Sequence, residues 1–271
     1  MTSKHDLNDP EMRAAQYKDS RNLAARANLH VKYGRGDWSP WLADAAGLNE
    51  GASVLDIGCG AGWFWNAAAD RLPAGLTVTL ADLSEGMIGE AMDRVVGLKP
   101  GWQVEGLVAD VGKLPFADET FDNILAFHML YHATDPAAGI AEIARVLRPG
   151  GTALITTNGH ENIRALYMIG HRMLGGPDHE PVADLFGLEN APALLAPHFC
   201  KVELLDYPDV LRCTDALDIC ATLCSFPPGS QASVEQLEAL EAFVTAQLAD
   251  NGGVFVTQKS TGAFRCVKPG G

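Results

Sequence analysis

The stretch Val54-Leu55-Asp56-Ile57-Gly58-Cys59-Gly60-Ala61-Gly62 carries the strongest structural signal in this chain of 271 residues. A short apolar run ends in glycines at alternate positions, and the residues that follow have a helical composition. This order is typical of a buried parallel strand that enters a helix through a tight turn. Glycines at such a turn let the backbone approach a ligand closely, where a Cβ atom would clash. The stretch therefore predicts a nucleotide-like cofactor at the carboxyl end of the first strand.

The same alternation of strands and helices continues along the chain. Helices are predicted after three good N-terminal caps, which are Ser84, Asp135 followed by Pro136, and Ser233 with Gln236. Further strands are predicted at residues 76–81, 104–109, 121–127, 152–157 and 202–205, with one or two more in 254–268 around a turn at Thr261-Gly262. Such regular alternation indicates βαβ units, and hence an α/β fold whose parallel sheet has helices on both faces.

Composition and charge restrict the class of protein. Twenty Lys and Arg against 34 Asp and Glu give a net charge of −14, which repels phosphate backbones and anionic membrane surfaces. We therefore expect neither a nucleic acid nor a membrane as a partner. The first 20 residues lack the apolar segment of a signal peptide, and the six cysteines include no C-x-x-C pair. These features predict a cytoplasmic protein with reduced thiols.

Three acidic residues stand at predicted strand ends, on the same edge of the sheet. Asp56 places negative charge near the glycines, which suits a cationic ligand better than a pyrophosphate. Asp82 ends the second strand, where a carboxylate can accept both hydrogen bonds of a ribose diol. Asp110 ends the third strand, where it can accept a hydrogen bond from an adenine amino group. Loop aspartates often serve only as helix caps, but three of them beside the glycines favour a cofactor site.

Four motifs in a fixed order support a more specific interpretation. They are the glycine stretch, Asp82-Leu83-Ser84-x-x-Met87, Asp110 with Leu114-Pro115-Phe116, and Arg145-Val146-Leu147-Arg148-Pro149-Gly150-Gly151. As a set, covering about residues 53–157, they resemble the class I S-adenosylmethionine-dependent methyltransferases, in the small-molecule branch that includes the quinone-biosynthesis methyltransferases. The resemblance implies S-adenosylmethionine as cofactor. It also implies a Rossmann-like three-layer sandwich, with a seven-stranded, mostly parallel sheet whose last strand is reversed.

The resemblance further implies roles for individual residues. The methionine and ribose part of the cofactor is assigned to the loop glycines, the ribose to Asp82, the adenine to Asp110 and Val111, and the methionine part to Phe127. The full set of expected cofactor contacts is Tyr17, Tyr33, Asp56, Gly58, Cys59, Gly60, Gly62, Asp82, Leu83, Met87, Asp110, Val111 and Phe127. The two tyrosines are expected to close over the cofactor, or else to pack an amphipathic helix. Trp63-Phe64-Trp65 departs from the family pattern, and packing against the sheet is the favoured role for these rings.

We predict a single methyltransferase domain over residues 1–271. Within it, residues 1–50 form an N-terminal helical lid, and 51–158 form the cofactor-binding core. Residues 159–199 form a helical insert that covers the substrate, and 200–271 complete the sheet. Tyr167, Met168 and His171 of the insert are the expected substrate contacts, because they belong to its apolar segment at the edge where open α/β sheets bind ligands.

Candidate catalytic residues follow the fourth predicted strand. Methyl transfer from a sulfonium is a displacement at carbon, for which proximity and orientation supply most of the rate. A base helps only where the acceptor loses a proton, and His128 and His132 are the candidates, against the alternative of histidines that bond to backbone. His160, His171, His179 and Glu180 of the insert are second-line candidates. None of these histidines has a spacing that requires a metal, so no metal is predicted.

The sequence thus predicts a methyltransferase that acts on oxygen or carbon of a small, aromatic or otherwise apolar molecule, as a monomer or homodimer. Two other classes remain open. An NAD-linked oxidoreductase uses a similar glycine loop. A non-catalytic binding module would keep the fold without the chemistry.

Overall fold

The computed structural model describes residues 21–270, with side chains from residue 27 onward. The helices are α1 (Arg21–Tyr33), α2 (Trp38–Ala46), α3 (Trp63–Ala68), α4 (Glu85–Val95), α5 (Pro136–Val146), α6 (Arg164–Leu174), α7 (Ala183–Phe186), α8 (Ala191–Leu195), α9 (Ala216–Leu223) and α10 (Val234–Asp250). The strands are β1 (Ser53–Ile57), β2 (Thr77–Asp82), β3 (Gln103–Val108), β4 (Phe121–Phe127), β5 (Leu147–Asn158), β6 (Lys201–Asp206), β7 (Asp209–Cys213), β8 (Phe255–Lys259) and β9 (Thr261–Val267). Three 3₁₀ turns, Ala69–Arg71, Leu130–His132 and Gly229–Gln231, complete the described elements.

Seven strands form one sheet in the order β3-β2-β1-β4-β5-β9-β6. The pairs from β3 to β5 are parallel, and β9 lies antiparallel between β5 and β6. The predicted Rossmann-like sheet with a reversed last strand is therefore confirmed. Because β1 to β4 are parallel, their carboxyl ends meet at one edge, and all three predicted acidic positions lie at this edge.

The predicted caps position the helices that follow the strands. The Ser84 hydroxyl accepts the Met87 N–H at the start of α4, and one Asp135 oxygen accepts two backbone N–H groups at the start of α5. Ser233 and Gln236 form the predicted reciprocal capping box of α10. A cap of this kind contributes about 1 kcal/mol. These local signals explain why the sequence predicts the starts of the three helices.

Side-chain alternation along the strands builds a core on each face of the sheet. On β1, Leu55 and Ile57 belong to one apolar cluster, which includes Ile140 and Ile143 of α5. Val54 belongs to a second cluster, which includes Trp65 of α3. The complete burial of Trp65 confirms that this part of the aromatic Trp63-Phe64-Trp65 segment packs the first helix on the sheet.

A third apolar cluster joins segments that are distant in the sequence. It contains Leu29 of α1, Leu166 of α6, Leu211 of β7, Ile219 of α9 and Leu240 of α10. Strands β7 and β8 pair antiparallel in a separate two-stranded sheet beside it. Elements of the predicted lid, insert and C-terminal part therefore share one core. The predicted division of the domain into these parts stays a prediction.

The predicted turn at Thr261-Gly262 is wrong, since both residues lie within β9. Ser260 instead separates β8 from β9; its backbone N–H donates to Asn162 Oδ1, and its C=O accepts the Gly159 N–H. Glycine at 262 has a packing cause, because a Cβ there would lie 2.9 Å from the carbonyl oxygen of Leu205. The close approach of β6 therefore requires glycine at this position, and sequence reasoning reads the same glycine as a sign of a turn.

Two further findings concern sequence-level expectations. Within the described residues, no helix is both long enough and apolar enough to cross a bilayer. All six cysteines are free thiols.

Candidate functional site

The glycine loop lies at the carboxyl edge of the sheet, between β1 and α3. The backbone N–H groups of Gly58 and Cys59 both donate to the Ala81 carbonyl oxygen of β2, at 2.7 and 3.0 Å. Gly58 has φ of +71°, and a Cβ on it would lie 2.5 Å from the Cβ of Met129. Burial raises the pKa of the Cys59 thiol, so it is no nucleophile at neutral pH. Hydrogen bonds to β2 therefore hold the loop, and the segment after β4 packs closely against it.

Gly60 and Gly62 continue the loop into α3. Gly62 has φ of +72° at the start of the helix, and a Cβ on it would lie 3.1 Å from the Cα of Ala91 in α4. The Gly60 N–H points the other way and donates to the carboxylate of Asp82, at 3.0 Å. Glycine at 62 thus permits helix–helix packing, whereas Gly60 connects the loop to the predicted ribose ligand.

Asp82 is the central acidic residue of the edge. One of its carboxylate oxygens accepts the Gly60 N–H, and the other accepts the Ser84 N–H at 2.9 Å. The side chain is half-buried, and this burial raises the pKa of the carboxyl. The two backbone donors fix its orientation and leave further lone pairs for a ligand, which is what a ribose diol requires.

The neighbouring motif residues have opposite environments. Leu83 is 63% exposed beside Asp82, so it is available for contact with a ring stacked on this edge. The Met87 side chain is buried in the core under α4, and its backbone N–H is used by the Ser84 cap. Met87 therefore supports the loop from behind, and its predicted cofactor contact stays a prediction.

Asp56 is buried beneath the loop. Its Oδ2 accepts the indole N–H of Trp65 at 2.8 Å, whereas its Oδ1 is buried and has no hydrogen-bond partner among the described residues. Burial, opposed by the Trp65 hydrogen bond and assisted by the nearby Asp82 carboxylate, raises the pKa of Asp56 to about 7. An unpaired buried carboxylate oxygen is costly, so this position favours a proton or a cationic ligand group.

The raised pKa of Asp56 gives a pH-dependent contribution to stability. The folded chain keeps this proton until about pH 7, whereas the unfolded chain loses it near 3.8. Between these values the folded state holds more protons, so its stability falls as the pH rises. We expect the free energy of unfolding of wild type, relative to Asp56→Asn, to fall by about 3 kcal/mol between about pH 4 and 7. Urea unfolding of both proteins across this range measures it, and a constant difference would contradict a buried, titrating Asp56.

Asp110 and Val111 follow β3, next to the end of β2 in the sheet. The register pairs Asp82 with Val108, so Asp110 lies just beyond the same edge. Asp110 is exposed, and its Oδ1 accepts the Gly112 N–H at 2.8 Å, which shapes the turn. Val111 is buried against Gly139 of α5. An exposed carboxylate above a fixed apolar residue is consistent with the predicted adenine contact.

Phe127 is the last residue of β4, and His128 follows it. The Phe127 ring packs edge-on against Phe64, with centroids 5.0 Å apart. His128 has φ of +51°, and its backbone N–H donates to the Thr156 hydroxyl at 2.9 Å. A left-handed conformation is uncommon for a residue other than glycine and is concentrated at functional sites. Burial, and then the Lys259 ammonium, lower the pKa of His128 to about 3, so the ring is neutral at pH 7.

An aromatic cover over His128 is a feature that sequence reasoning missed. Trp38 of α2 lies 5.7 Å from the His128 ring and 4.8 Å from Tyr207, measured between centroids. Trp41 stacks on Trp38 at 5.1 Å and also touches Tyr207. The Tyr207 hydroxyl donates to Asp37, which holds the ring in place. Asp37 and Tyr207 are 170 positions apart, and no local pattern joins them.

A buried cation stands beside this aromatic cover. Lys259 Nζ lies 5.7 Å from the Trp38 ring centroid and 5.2 Å from that of Tyr207, within the range of cation–π attraction. The same Nζ is 3.6 Å from Asp209, and both side chains are almost fully buried. Burial lowers the pKa of Lys259, and Asp209 opposes this shift. The site therefore offers an apolar surface with one compensated positive charge behind it.

The other predicted catalytic histidine and the two predicted lid tyrosines remain to be placed. His132 is in the 3₁₀ turn after β4, where its ring packs edge-on against Tyr131 at 4.6 Å. Tyr33 ends α1, and its hydroxyl donates to Asp218 of α9 at 2.6 Å, which is the packing role weighed for it. Tyr17 lies outside the described residues. His132 thus lies in the turn that follows His128, whereas Tyr33 packs against the third apolar cluster.

The predicted substrate contacts on α6 do not share one face. Tyr167 is buried and its hydroxyl donates to Glu180 at 2.8 Å, whereas Met168 is 56% exposed. His171 is exposed, with Nδ1 2.5 Å from the Gly176 carbonyl oxygen at the end of the helix. Consecutive helical residues point about 100° apart, so Tyr167 and Met168 cannot form one wall. Their substrate roles stay predictions.

Comparison with known proteins agrees with this geometry. Residues 55–155 match a family model described as a methyltransferase domain. Over 107 residues the chain is 33% identical to the ubiquinone/menaquinone biosynthesis C-methyltransferase UbiE of Geobacter sulfurreducens, covering 40% of this chain and 42% of that protein. The chain thus spans less than half the length of this relative. The resemblance to class I S-adenosylmethionine-dependent methyltransferases predicted from the motifs is confirmed.

Solved structures share the fold. Phosphoethanolamine N-methyltransferase 2 of Haemonchus contortus, in complex with S-adenosyl-L-methionine, has a TM-score of 0.59 at 22% identity, covering 99% of this chain and 60% of that one. The [4+2]-cyclase SpnF has a TM-score of 0.54, also at 22% identity, covering 87% of this chain and 82% of that one. Since one of these proteins is a cyclase, the fold by itself does not define the reaction.

Proposed function

We propose that this chain binds S-adenosylmethionine and transfers its methyl group to oxygen or carbon of a small, apolar or aromatic molecule. The observation that carries the proposal is Asp82, whose two carboxylate oxygens are oriented by the Gly60 and Ser84 N–H groups at the carboxyl edge of the sheet. The methyltransferase-domain match covers the same loop and strand ends.

The residues at this edge fit the chemistry of that cofactor. Asp82 supplies acceptors for a ribose diol, and Leu83 and Asp110 are exposed for contact with a base. The Asp56 Oδ1, which no described residue binds, suits the positive charge of the cofactor better than the phosphates of a dinucleotide. When bound, S-adenosylmethionine supplies a methyl group activated by its sulfonium. We propose each of these residues as a contact of the cofactor.

The acceptor is proposed to lie against Trp38, Trp41 and His128. This surface is aromatic and half-buried, which favours an apolar or aromatic molecule. With a pKa of about 3, His128 is a weak base for a phenol, whose pKa is near 10. We therefore assign His128 a role in orienting the acceptor, with His132 as the other catalytic candidate, and most of the rate to proximity.

The setting of the reaction is also proposed. The net charge of −14 opposes binding to phosphate backbones, so the expected partner is a small molecule and not a nucleic acid or a membrane. Six free thiols agree with a reducing, cytoplasmic compartment. We expect a monomer or a homodimer.

Two experiments test the proposal: calorimetry of cofactor binding, and then an assay of methyl transfer. Purified protein is expected to bind S-adenosylhomocysteine but not NAD, and then to transfer label from methyl-labelled S-adenosylmethionine to one of a panel of phenols, indoles and quinones. Binding of NAD without binding of S-adenosylhomocysteine would identify the oxidoreductase alternative and overturn the proposal. Cofactor binding with no label transfer across the panel would favour a binding module.

A further inference from the structure

Two histidines of the insert converge on one carboxylate. His160 follows the end of β5, and its Nε2 lies 2.9 Å from Asp184 Oδ1. His179 precedes α7, and its Nε2 lies 3.4 Å from Asp184 Oδ2. The two imidazole rings meet edge-to-face, with centroids 5.5 Å apart. This trio, which we call the His160–His179–Asp184 cluster, lies outside the site described above.

The opposite ring nitrogens also face carboxylates. His160 Nδ1 is 3.4 Å from Glu189 Oε2, and His179 Nδ1 is 3.0 Å from Asp178 Oδ1. A neutral imidazole carries one N–H, and an ionised carboxylate has no proton to donate. In a neutral ring at either position, therefore, one nitrogen lone pair points at a carboxylate. Two arrangements would relieve this repulsion: an N–H on every ring nitrogen, or a cation between the Nε2 atoms and Asp184.

The arrangement matches the second alternative in detail. Metal-bound histidines commonly donate the N–H of their other ring nitrogen to a carboxylate, which directs the remaining lone pair at the ion. Glu189 and Asp178 stand in those outer positions, and Asp184 supplies an inner oxygen. The three inner ligand atoms lie within 4.8 Å of one another, so small side-chain rotations would bring each to about 2.0–2.2 Å from a common ion.

We propose that the His160–His179–Asp184 cluster binds a divalent transition-metal ion of the zinc class. Two imidazoles and one carboxylate are the donors that Zn²⁺ prefers, and partial exposure of the cluster leaves a fourth position for water. The surrounding charge favours a cation, because the rings stand among three carboxylates. The Arg164 guanidinium approaches one of them, Asp178, at 3.9 Å.

Hydrogen bonds fix the segments that carry the two histidines. Next to His179, the buried Glu180 accepts hydrogen bonds from Asn162 Nδ2 at 3.0 Å and the Tyr167 hydroxyl at 2.8 Å. On the other side, the His160 backbone N–H donates to Glu189 Oε1 at 3.0 Å. The ion would tie the loop after β5 to the segment before α7. The sequence predicts no metal because the two histidines are 19 positions apart, without a metal-binding motif.

Titration of chelator-washed, tag-free protein with Zn²⁺ and Co²⁺ tests the site. Wild type is expected to bind one ion per chain, with a Co²⁺ spectrum that lacks the sulfur charge-transfer band of a thiolate site. Asp184→Asn and His179→Gln should each abolish saturable binding, and Glu189→Gln should weaken it by about tenfold. His198→Gln, which changes a histidine outside the cluster, is the matched control and should bind like wild type.

The outcomes distinguish a bound ion from a pair of protonated imidazoles. Circular dichroism without metal checks that each variant is folded, and the Co²⁺ spectrum of wild type alone decides the ligand type if a variant is not. Binding of one ion that Asp184→Asn abolishes supports the site. No saturable binding by wild type, or unchanged binding in Asp184→Asn, overturns it. Imidazole NMR signals that show both rings protonated in the presence of Zn²⁺ also overturn it. None of these results depends on methyl transfer.

Discussion

Replacing Asp82 by alanine is expected to weaken the binding of S-adenosylhomocysteine by about 2 to 3 kcal/mol, or about 30- to 150-fold in dissociation constant. In the structure its two carboxylate oxygens accept the Gly60 and Ser84 N–H groups. The substitution therefore removes the proposed hydrogen bonds to the ribose diol and also the acceptor of the Gly60 N–H in the loop. Isothermal titration calorimetry on both proteins measures the change.

Two control variants separate recognition from capping. Asp135→Ala removes a carboxylate that also accepts two backbone N–H groups, but at the start of α5. It should lower the free energy of unfolding by about 1 kcal/mol and leave the affinity for S-adenosylhomocysteine unchanged. Asp82→Asn keeps one acceptor oxygen and should fall between wild type and Asp82→Ala. Equal affinities in wild type and Asp82→Ala would remove Asp82 from the cofactor site.

The cofactor edge could be predicted because its signals are local. The glycines, Asp82 and the Ser84 cap lie within 27 residues of one another, and a parallel βαβ unit brings successive strand ends to the same edge. The sequence also predicts the reversed last strand, but only through the resemblance of four motifs to a family. Nothing in residues 261–267 by itself indicates their direction in the sheet.

The acceptor side was less accessible to prediction because it is built from distant segments. Trp38 and Tyr207 meet only when α2 and the end of β6 come together over His128. Lys259 reaches the same place from β8, whose partner β7 was not predicted at all. The hydrophobic pattern within one segment cannot predict such contacts, because nothing in the sequence next to each of these residues distinguishes it.

The substrate contacts predicted on α6 show a different difficulty. Tyr167 and Met168 are adjacent in the sequence and both suit an apolar wall, but a helix directs them to different faces. Tyr167 faces the third apolar cluster and Met168 faces outward. Composition therefore predicts the helix well and its orientation poorly.

The second large effect is expected for Gly58→Ala, compared with Gly97→Ala as a matched control. The two glycines have nearly the same left-handed backbone, with φ of +71° and +76°. In the part of the chain that the structure describes, a Cβ at Gly97 would have no heavy atom within 4 Å, whereas at Gly58 it would lie 2.5 Å from Met129 Cβ and 2.7 Å from its Cγ. The two variants therefore share the backbone strain and differ in the clash.

Urea unfolding at constant m-value measures the difference. Gly97→Ala should lose about 1 kcal/mol of stability from the left-handed conformation alone. Gly58→Ala should lose about 3 kcal/mol, because the added methyl group must also displace Met129 or the loop itself. Displacing the loop would move the Gly60 N–H away from Asp82, so the surviving folded fraction should also bind S-adenosylhomocysteine more weakly than Gly97→Ala does. Equal losses of stability and equal affinities in the two variants would mean that Met129 yields without cost. Glycine at 58 would then serve only the turn, and not the close packing of the cofactor loop against the segment after β4.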